Sequence, residues 1–140
     1  MIDEHFSTYK NLVTKLEIKS IELIKLKEDF YTITGTHYDD MPKSRGGIKI
    51  TIEDKLHNIV EKEKDLKGIE AYKNEVRRIH EKEIERVVDQ RSKTILRLFY
   101  LDGYSLKEIS YCLRITEGHV KKLKRGAVYE FIKKNKELFN

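Results

Sequence analysis

Three short helical patterns separated by two breaks lie between residues 89 and 134, and they constrain the fold more than any other part of the chain. The second pattern begins at Ser105, which together with Glu108 has the sequence of a capping box. The third follows Thr116, a favourable N-cap residue. The apolar residues that recur at three- and four-residue steps are Ile95, Leu98, Phe99, Leu106, Ile109, Leu113, Val120, Leu123, Ala127 and Phe131. This spacing predicts a helix-turn-helix in a trihelical domain, with Ile115 plugging the turn.

The third helix, residues 117–133, is predicted to present a basic face. At 100° per residue, the side opposite Val120 and Ala127 carries Lys122 and Arg125. Such residues offer contacts to phosphates and to base edges in the major groove. The candidate DNA-binding residues are Arg114, Thr116, Glu117, Gly118, His119, Lys121, Lys122, Lys124, Arg125 and Tyr129. The alternative is a solvated basic helix with no nucleic acid near it.

The charge of the chain is unevenly distributed. Its formal net charge is +5, but residues 89–140 hold 12 Lys and Arg against 6 Asp and Glu, whereas residues 1–88 hold 17 against 18. The basic excess therefore belongs to the part with the helix-turn-helix pattern. A nucleic-acid partner requires such a distribution, and double-stranded DNA is the predicted partner.

The sequence from Leu96 to Tyr129 resembles region 4 of the sigma-70 factors. The matching segments are LRLFYLDG, SLKEIS and LRITEGHVK. The length and layout of the whole chain are similar to those of phage late-gene transcription regulators of the RinA/ArpU kind, and the motif at residues 38–44, YDDMPKS, adds to this likeness. The resemblance implies a sigma region 4-like fold, a role in transcription regulation and a phage or prophage origin.

One residue departs from the family pattern. The family usually has glycine in the turn where this chain has Arg114, and glycine is favoured there because φ is often positive. Arginine in that conformation costs roughly 1 kcal/mol, unless the turn is built differently. Its guanidinium would add a phosphate contact.

The N-terminal part is predicted to form two long amphipathic helices joined as a hairpin. Residues 3–31 carry an apolar stripe that Ile18, Ile21 and Ile24 broaden, and residues 52–88 carry a second stripe. We therefore expect an all-α fold with a helical hairpin and assembly region at 1–88, including a loop at 32–51, and a DNA-binding domain at 89–140. The spare apolar surface favours a homodimer. Residues 89–140 alone are expected to be a folded monomer that binds DNA poorly.

No catalytic or metal site is predicted. The phosphate-binding loops, Cys/His clusters and nucleophile elbows that mark many enzymes do not occur in the sequence, so we expect no enzyme activity and no cofactor. The loop residues His37, Asp39 and Asp40 are a weak ligand set. The other histidines considered, His57 and His80, are predicted to be surface or interhelical residues rather than ligands. The single cysteine, Cys112, is expected to be a buried small hydrophobe.

Three functions remain possible from the sequence. The first is a sequence-specific DNA-binding transcription regulator, the second a sigma region 4-like module that binds the RNA polymerase core, and the third a structural or adaptor protein that does not act on DNA. The start of the chain is polar and acidic, and no apolar run approaches the ~20 residues that span a bilayer. A cytoplasmic location without a membrane partner is therefore expected, and the resemblance to phage regulators implies association with the nucleoid of a bacterial host cell.

Overall fold

The computed structural model describes residues 2–36 and 52–139, and these form helices and no strand. The helices are α1 (Ile2–Thr36), α2 (Ile52–Glu85), α3 (Gln90–Leu96), α4 (Leu106–Leu113) and α5 (Glu117–Lys134); a π-helical turn, Arg97–Leu101, continues α3, and a 3-10 turn, Lys136–Leu138, follows α5. The predicted all-α class is confirmed. Within these described ranges, no helix combines the length and apolar character that crossing a bilayer requires.

Residues 32–36, which were predicted to belong to a loop at 32–51, are helical, because α1 continues to Thr36. Residues 37–51 lie outside the described residues. The weak ligand set His37, Asp39 and Asp40 and the motif at residues 38–44 fall in that range.

The helices divide into two compact units. One consists of Met1–Val13 with Tyr72–Asn140, which we call the core unit, and the other is Thr14–Ala71, which we call the outer unit. Both α1 and α2 therefore contribute to both units. The sequence predicts a domain boundary between residues 88 and 89. Whether residues 89–140 fold independently stays a prediction.

In the core unit, the start of α1 runs antiparallel to the end of α2. His5 contacts Glu83 at 2.8 Å, and one turn further along α1 the Tyr9 hydroxyl accepts a hydrogen bond from Arg77 at 2.9 Å. Arg77 also donates to Asp102 at 2.9 Å, beyond the π-helical turn. These pairings confirm the helical hairpin and connect it to the C-terminal helices.

A cluster of buried apolar side chains, the aromatic core, holds the core unit together. Its members are Ile2, Phe6, Tyr9, Ile84, Val87, Leu96, Leu101, Ala127 and Phe131. Fully burying a side chain of this size contributes roughly 1.5–3 kcal/mol. The first turns of α1 and the end of α2 therefore share one core with α3 and α5.

The break between α2 and α3 is fixed by an N-cap. The Asp89 carboxylate accepts hydrogen bonds from the Ser92 hydroxyl at 2.8 Å and the Ser92 backbone N–H at 3.0 Å. These two hydrogen bonds lower the pKa of Asp89, because they favour its charged form. The helix thus begins where the sequence predicts it.

The described residues of the outer unit bury few apolar side chains. Leu23 and Ile59 are buried, and Lys27 forms an ion pair with Glu63 at 2.9 Å. The three isoleucines predicted to broaden the stripe of α1 and to leave apolar surface uncovered are 52–56% exposed: Ile18, Ile21 and Ile24. At 100° per residue Ile18 and Ile21 lie roughly opposite Leu23 and Ile24 lies about a quarter of a turn from it, so the three extend the apolar surface of α1 away from the buried Leu23.

The prediction that Cys112 is buried is wrong, because this thiol is exposed. In α4, Ile109 is buried and Leu106 and Leu113 pack beside it. Cys112 lies about a quarter of a turn from the centre of that apolar face. The two histidines differ: His57 is exposed on α2, whereas His80 is 5% exposed and lies between helices.

Candidate nucleic-acid interface

The start of α4 is set by the capping box that the sequence predicts. The Ser105 hydroxyl accepts a hydrogen bond from the Glu108 backbone N–H at 3.1 Å, and the Glu108 carboxylate accepts one from the Ser105 N–H at 3.3 Å. Two backbone donors that a helix start leaves unpaired are thereby satisfied. The first helix of the helix-turn-helix therefore has a defined beginning.

The turn between α4 and α5 has the conformation that the family pattern requires. Arg114 is left-handed, with φ 57° and ψ 43°, and it is the one non-glycine residue of the described chain with positive φ. The Ile115 N–H donates to the Ser110 carbonyl at 3.1 Å, which closes the end of α4. The departure from glycine therefore leaves the turn geometry intact, at a strain cost of roughly 1 kcal/mol.

A second cluster, the turn core, fixes the angle between α4 and α5. Ile95 from α3, Ile109 from α4 and Val120 from α5 are fully buried and meet at its centre. The residues that pack around them are Leu98, Phe99, Leu106, Leu113, Ile115 and Leu123. All of these except Ile115 belong to the predicted apolar pattern, and Ile115 occupies the turn as the predicted plug.

The start of α5 is capped by Thr116, whose hydroxyl accepts a hydrogen bond from the His119 N–H at 3.2 Å. Both residues belong to the predicted site. The cap gives Thr116 a structural role whether or not it meets DNA. It also orients the first turn of α5, where Glu117 complements the helix dipole.

The outer face of α5 is exposed over its length. Of the predicted site residues, those that the structure leaves exposed are Arg114, Thr116, Glu117, Gly118, His119, Lys121, Lys122, Arg125 and Tyr129. Tyr129 is 72% exposed. Val120 and Ala127 on the opposite side are fully buried, so the predicted polarity of the helix is confirmed.

Lys124 differs from its neighbours. It is half-buried, and its Nζ lies 3.8 Å from the centroid of the Phe99 ring. A cation over an aromatic face is held by the ring quadrupole. Lys124 is therefore engaged within the protein and less available to DNA than Lys121 or Lys122.

The structure adds residues of α4 that were absent from the predicted site. A groove of about 490 Å³ lies at the turn and is lined by Lys107, Ser110, Tyr111, Arg114, Ile115, Thr116 and Glu117. Lys107 and the 72% exposed Tyr111 stand beside Arg114 there. The exposed polar positions of α4 were the signal for them in the sequence, but only the crossing of two helices brings them to the turn.

Residues 86–129 match the family described as Sigma-70, region 4. The match covers α3, α4 and most of α5, which is the part that carries the capping box, the turn and the basic face. A search of curated proteins and a search of solved structures each found no match. The matched part of the chain therefore has the helix-turn-helix of a module similar to sigma-70 region 4.

Proposed function

We propose that the protein is a sequence-specific DNA-binding transcription regulator that docks residues 117–133 of α5 in the major groove. The observation that carries this proposal is the exposed basic face of α5, on a helix whose start and crossing angle are fixed. Lys122 and Arg125 project from the side opposite buried Val120. A fixed helix with such a face can read base edges, whereas a mobile lysine-rich segment can only neutralise phosphates.

The proposed contacts divide into two kinds. Two of the proposed phosphate contacts, Lys107 and Arg114, line the groove at the turn, and a third, Lys121, is exposed in the second turn of α5. Lys122 and Arg125 lie at the centre of the outer face, and an arginine there can make paired hydrogen bonds to a guanine. In this arrangement the phosphate contacts supply affinity and Arg125 supplies specificity.

The resemblance to phage late-gene regulators supports a phage or prophage origin and action in the cytoplasm of a bacterial host cell. We further propose that the protein acts as a homodimer. The exposed apolar surface of α1, with Ile18, Ile21 and Ile24 more than half exposed, supports this assembly. Two copies would read two half-sites about one helical turn, or a multiple of it, apart.

The salt dependence of binding tests groove docking. A duplex selected from a random pool and an unselected duplex are titrated with the full chain by fluorescence anisotropy at several salt concentrations. With about five phosphates neutralised, log K should fall with log salt at a slope of about −4 to −5. A slope shallower than about −2 for the selected duplex would contradict the docked arrangement.

The same titrations compare two variants that each remove one positive charge from α5. Arg125→Ala should weaken binding to the selected duplex and narrow its advantage over the random one by about 1–3 kcal/mol. Lys133→Ala, in the last turn, should weaken binding to both duplexes alike. Equal losses on both duplexes for Arg125→Ala would show that Arg125 does not read bases.

The runner-up function is binding of the RNA polymerase core, which the match to sigma-70 region 4 favours. Capture of purified core polymerase by the full chain, with and without the selected duplex, separates the two functions. If the chain captures the polymerase without DNA and shows no preference for the selected duplex, its function is polymerase binding and not the reading of DNA sequence. A protein that binds neither would be the adaptor considered as the third alternative.

A further inference from the structure

Two histidines and a glutamate converge inside the core unit, at a place unrelated to the basic face of α5. Glu83 Oε1 lies 2.8 Å from His5 Nε2 and 2.7 Å from His80 Nδ1. The three possible ligand atoms all lie within 4.8 Å of one another. His5 comes from the first turns of α1, whereas His80 and Glu83 lie three residues apart on one face of α2.

We propose that these three side chains bind a divalent transition-metal ion such as Zn²⁺, with water in the fourth position. Imidazole nitrogens and a carboxylate oxygen are the ligands that zinc takes in sites with three protein ligands. At metal–ligand distances of about 2.0–2.2 Å, tetrahedral ligand atoms lie about 3.3 Å apart. To reach this geometry, each His–Glu83 distance lengthens by about half an ångström, and the two histidine nitrogens, which lie within 4.8 Å of each other, close in on the ion.

The cluster lies in a largely buried, partly aromatic environment. The side chains of His80 and Glu83 are 7% and 10% exposed, and the Phe6 ring lies 4.6 Å from that of His80. A buried carboxylate needs a compensating positive charge. A divalent ion bound by the lone pairs of two neutral imidazoles would supply that charge. Within the described residues, His80 Nε2 is the one buried side-chain nitrogen or oxygen without a hydrogen-bond partner. Polar contacts thus hold this ring only through the nitrogen that faces Glu83.

The positions of the ligands are supported from outside the cluster. Asn135, fully buried after α5, donates hydrogen bonds through Nδ2 to the Glu83 backbone carbonyl at 3.2 Å and to the Phe131 carbonyl at 3.0 Å. The ligand-bearing turn of α2 is therefore tied to the end of α5. The His5 side chain is 18% exposed, which leaves a path for the ion to reach the site.

A bound ion would connect α1 to the end of α2 next to the helix-turn-helix. Metal binding that requires the folded arrangement stabilises the fold by mass action. The metal should therefore raise the melting temperature of the core unit. It should also increase the fraction of chains in which α5 is packed in that unit.

The test uses the untagged full chain, stripped with a chelator. Titration calorimetry with Zn²⁺ should give one ion per chain, Co²⁺ should give the visible absorption of a tetrahedral complex, and Zn²⁺ should raise the melting temperature above that in EDTA. His5→Gln, at the most accessible ligand, should weaken Zn²⁺ binding at least about tenfold. His57→Gln, at an exposed histidine of α2, is the matched control and should bind as the wild type does.

Glu83→Gln keeps the shape of the side chain and removes its charge, so it should lose Zn²⁺ binding as well. Two outcomes would overturn the proposal. One is the same Zn²⁺ affinity in His5→Gln as in the wild type, which would mean an adventitious ion only. The other is an equal melting temperature of the wild type in Zn²⁺ and in EDTA, which would leave a hydrogen-bonded cluster without a metal.

Discussion

The two units share α1 and α2 but use the apolar residues of these helices differently. In the core unit, Phe6 is 2% and Ile84 is 0% exposed, whereas in the outer unit Ile21 is 56% and Leu56 is 49% exposed. The amphipathic pattern is present in both. The difference is that α3 and α5 cover the helices of the core unit, whereas the described residues of the outer unit all belong to α1 and α2.

This comparison shows what an amphipathic pattern determines. It predicts which side of a helix avoids water, and it does not identify the element that covers that side. The core unit covers its apolar side within one chain. Among the described residues of the outer unit, the face with Ile18, Ile21 and Ile24 stays exposed, and a second copy of the chain is its proposed cover.

The largest effect is expected in the aromatic core. Phe131→Ala removes a fully buried ring that contacts residues from α1 and α2, so it should lower the free energy of unfolding by about 3–5 kcal/mol. Ile21→Ala removes an exposed side chain and should change that free energy by no more than about 0.5 kcal/mol at low protein concentration. Urea denaturation followed by circular dichroism measures both. If both variants lose a similar amount of unfolding free energy, the two units do not differ in how far they bury their apolar residues.

The same core bears on the prediction that residues 89–140 fold alone. Ile2, Phe6 and Tyr9 pack against Leu96 and the other C-terminal members of the aromatic core, which lie beyond residue 89. A chain cut at residue 88 would expose those surfaces. The core unit, with both of its segments, is for this reason the better candidate for an independent folding unit.

Local features of the fold were predictable from the sequence because neighbouring residues determine them. The Ser105 capping box, the Thr116 cap and the turn at Arg114 follow from backbone groups within a few residues. The basic outer face of α5 was predictable from the 100° rotation per residue of a helix. Residues that depend on tertiary partners were missed or misplaced: Lys107 and Tyr111 reach the turn through a helix crossing, and the His5–His80–Glu83 cluster joins positions 75 and 78 residues apart, whose meeting no local pattern reveals.

The next effect concerns the open face of the outer unit. Ile21→Lys places a charge in the proposed dimer contact and loses the burial of one isoleucine, worth roughly 1.5–3 kcal/mol. The dimer should therefore dissociate at least about tenfold more readily, as measured by sedimentation equilibrium at micromolar concentration. Thr8→Lys adds the same charge at an exposed position of α1 in the core unit and should leave the dimer unchanged. A monomeric wild-type chain would reject the homodimer.

The smallest effect separates strain from charge at the turn. Arg114→Gly and Arg114→Ala both remove the guanidinium, but only glycine adopts the left-handed conformation without a steric cost. The glycine variant should therefore be more stable than the alanine variant by about 1 kcal/mol in urea denaturation. If Arg114 contacts a phosphate, both variants should lose the same amount of DNA affinity, and the salt slope should become shallower by about 1. Affinity that falls in the alanine variant and recovers in the glycine variant would mean that Arg114 acts through the turn geometry and not through its charge.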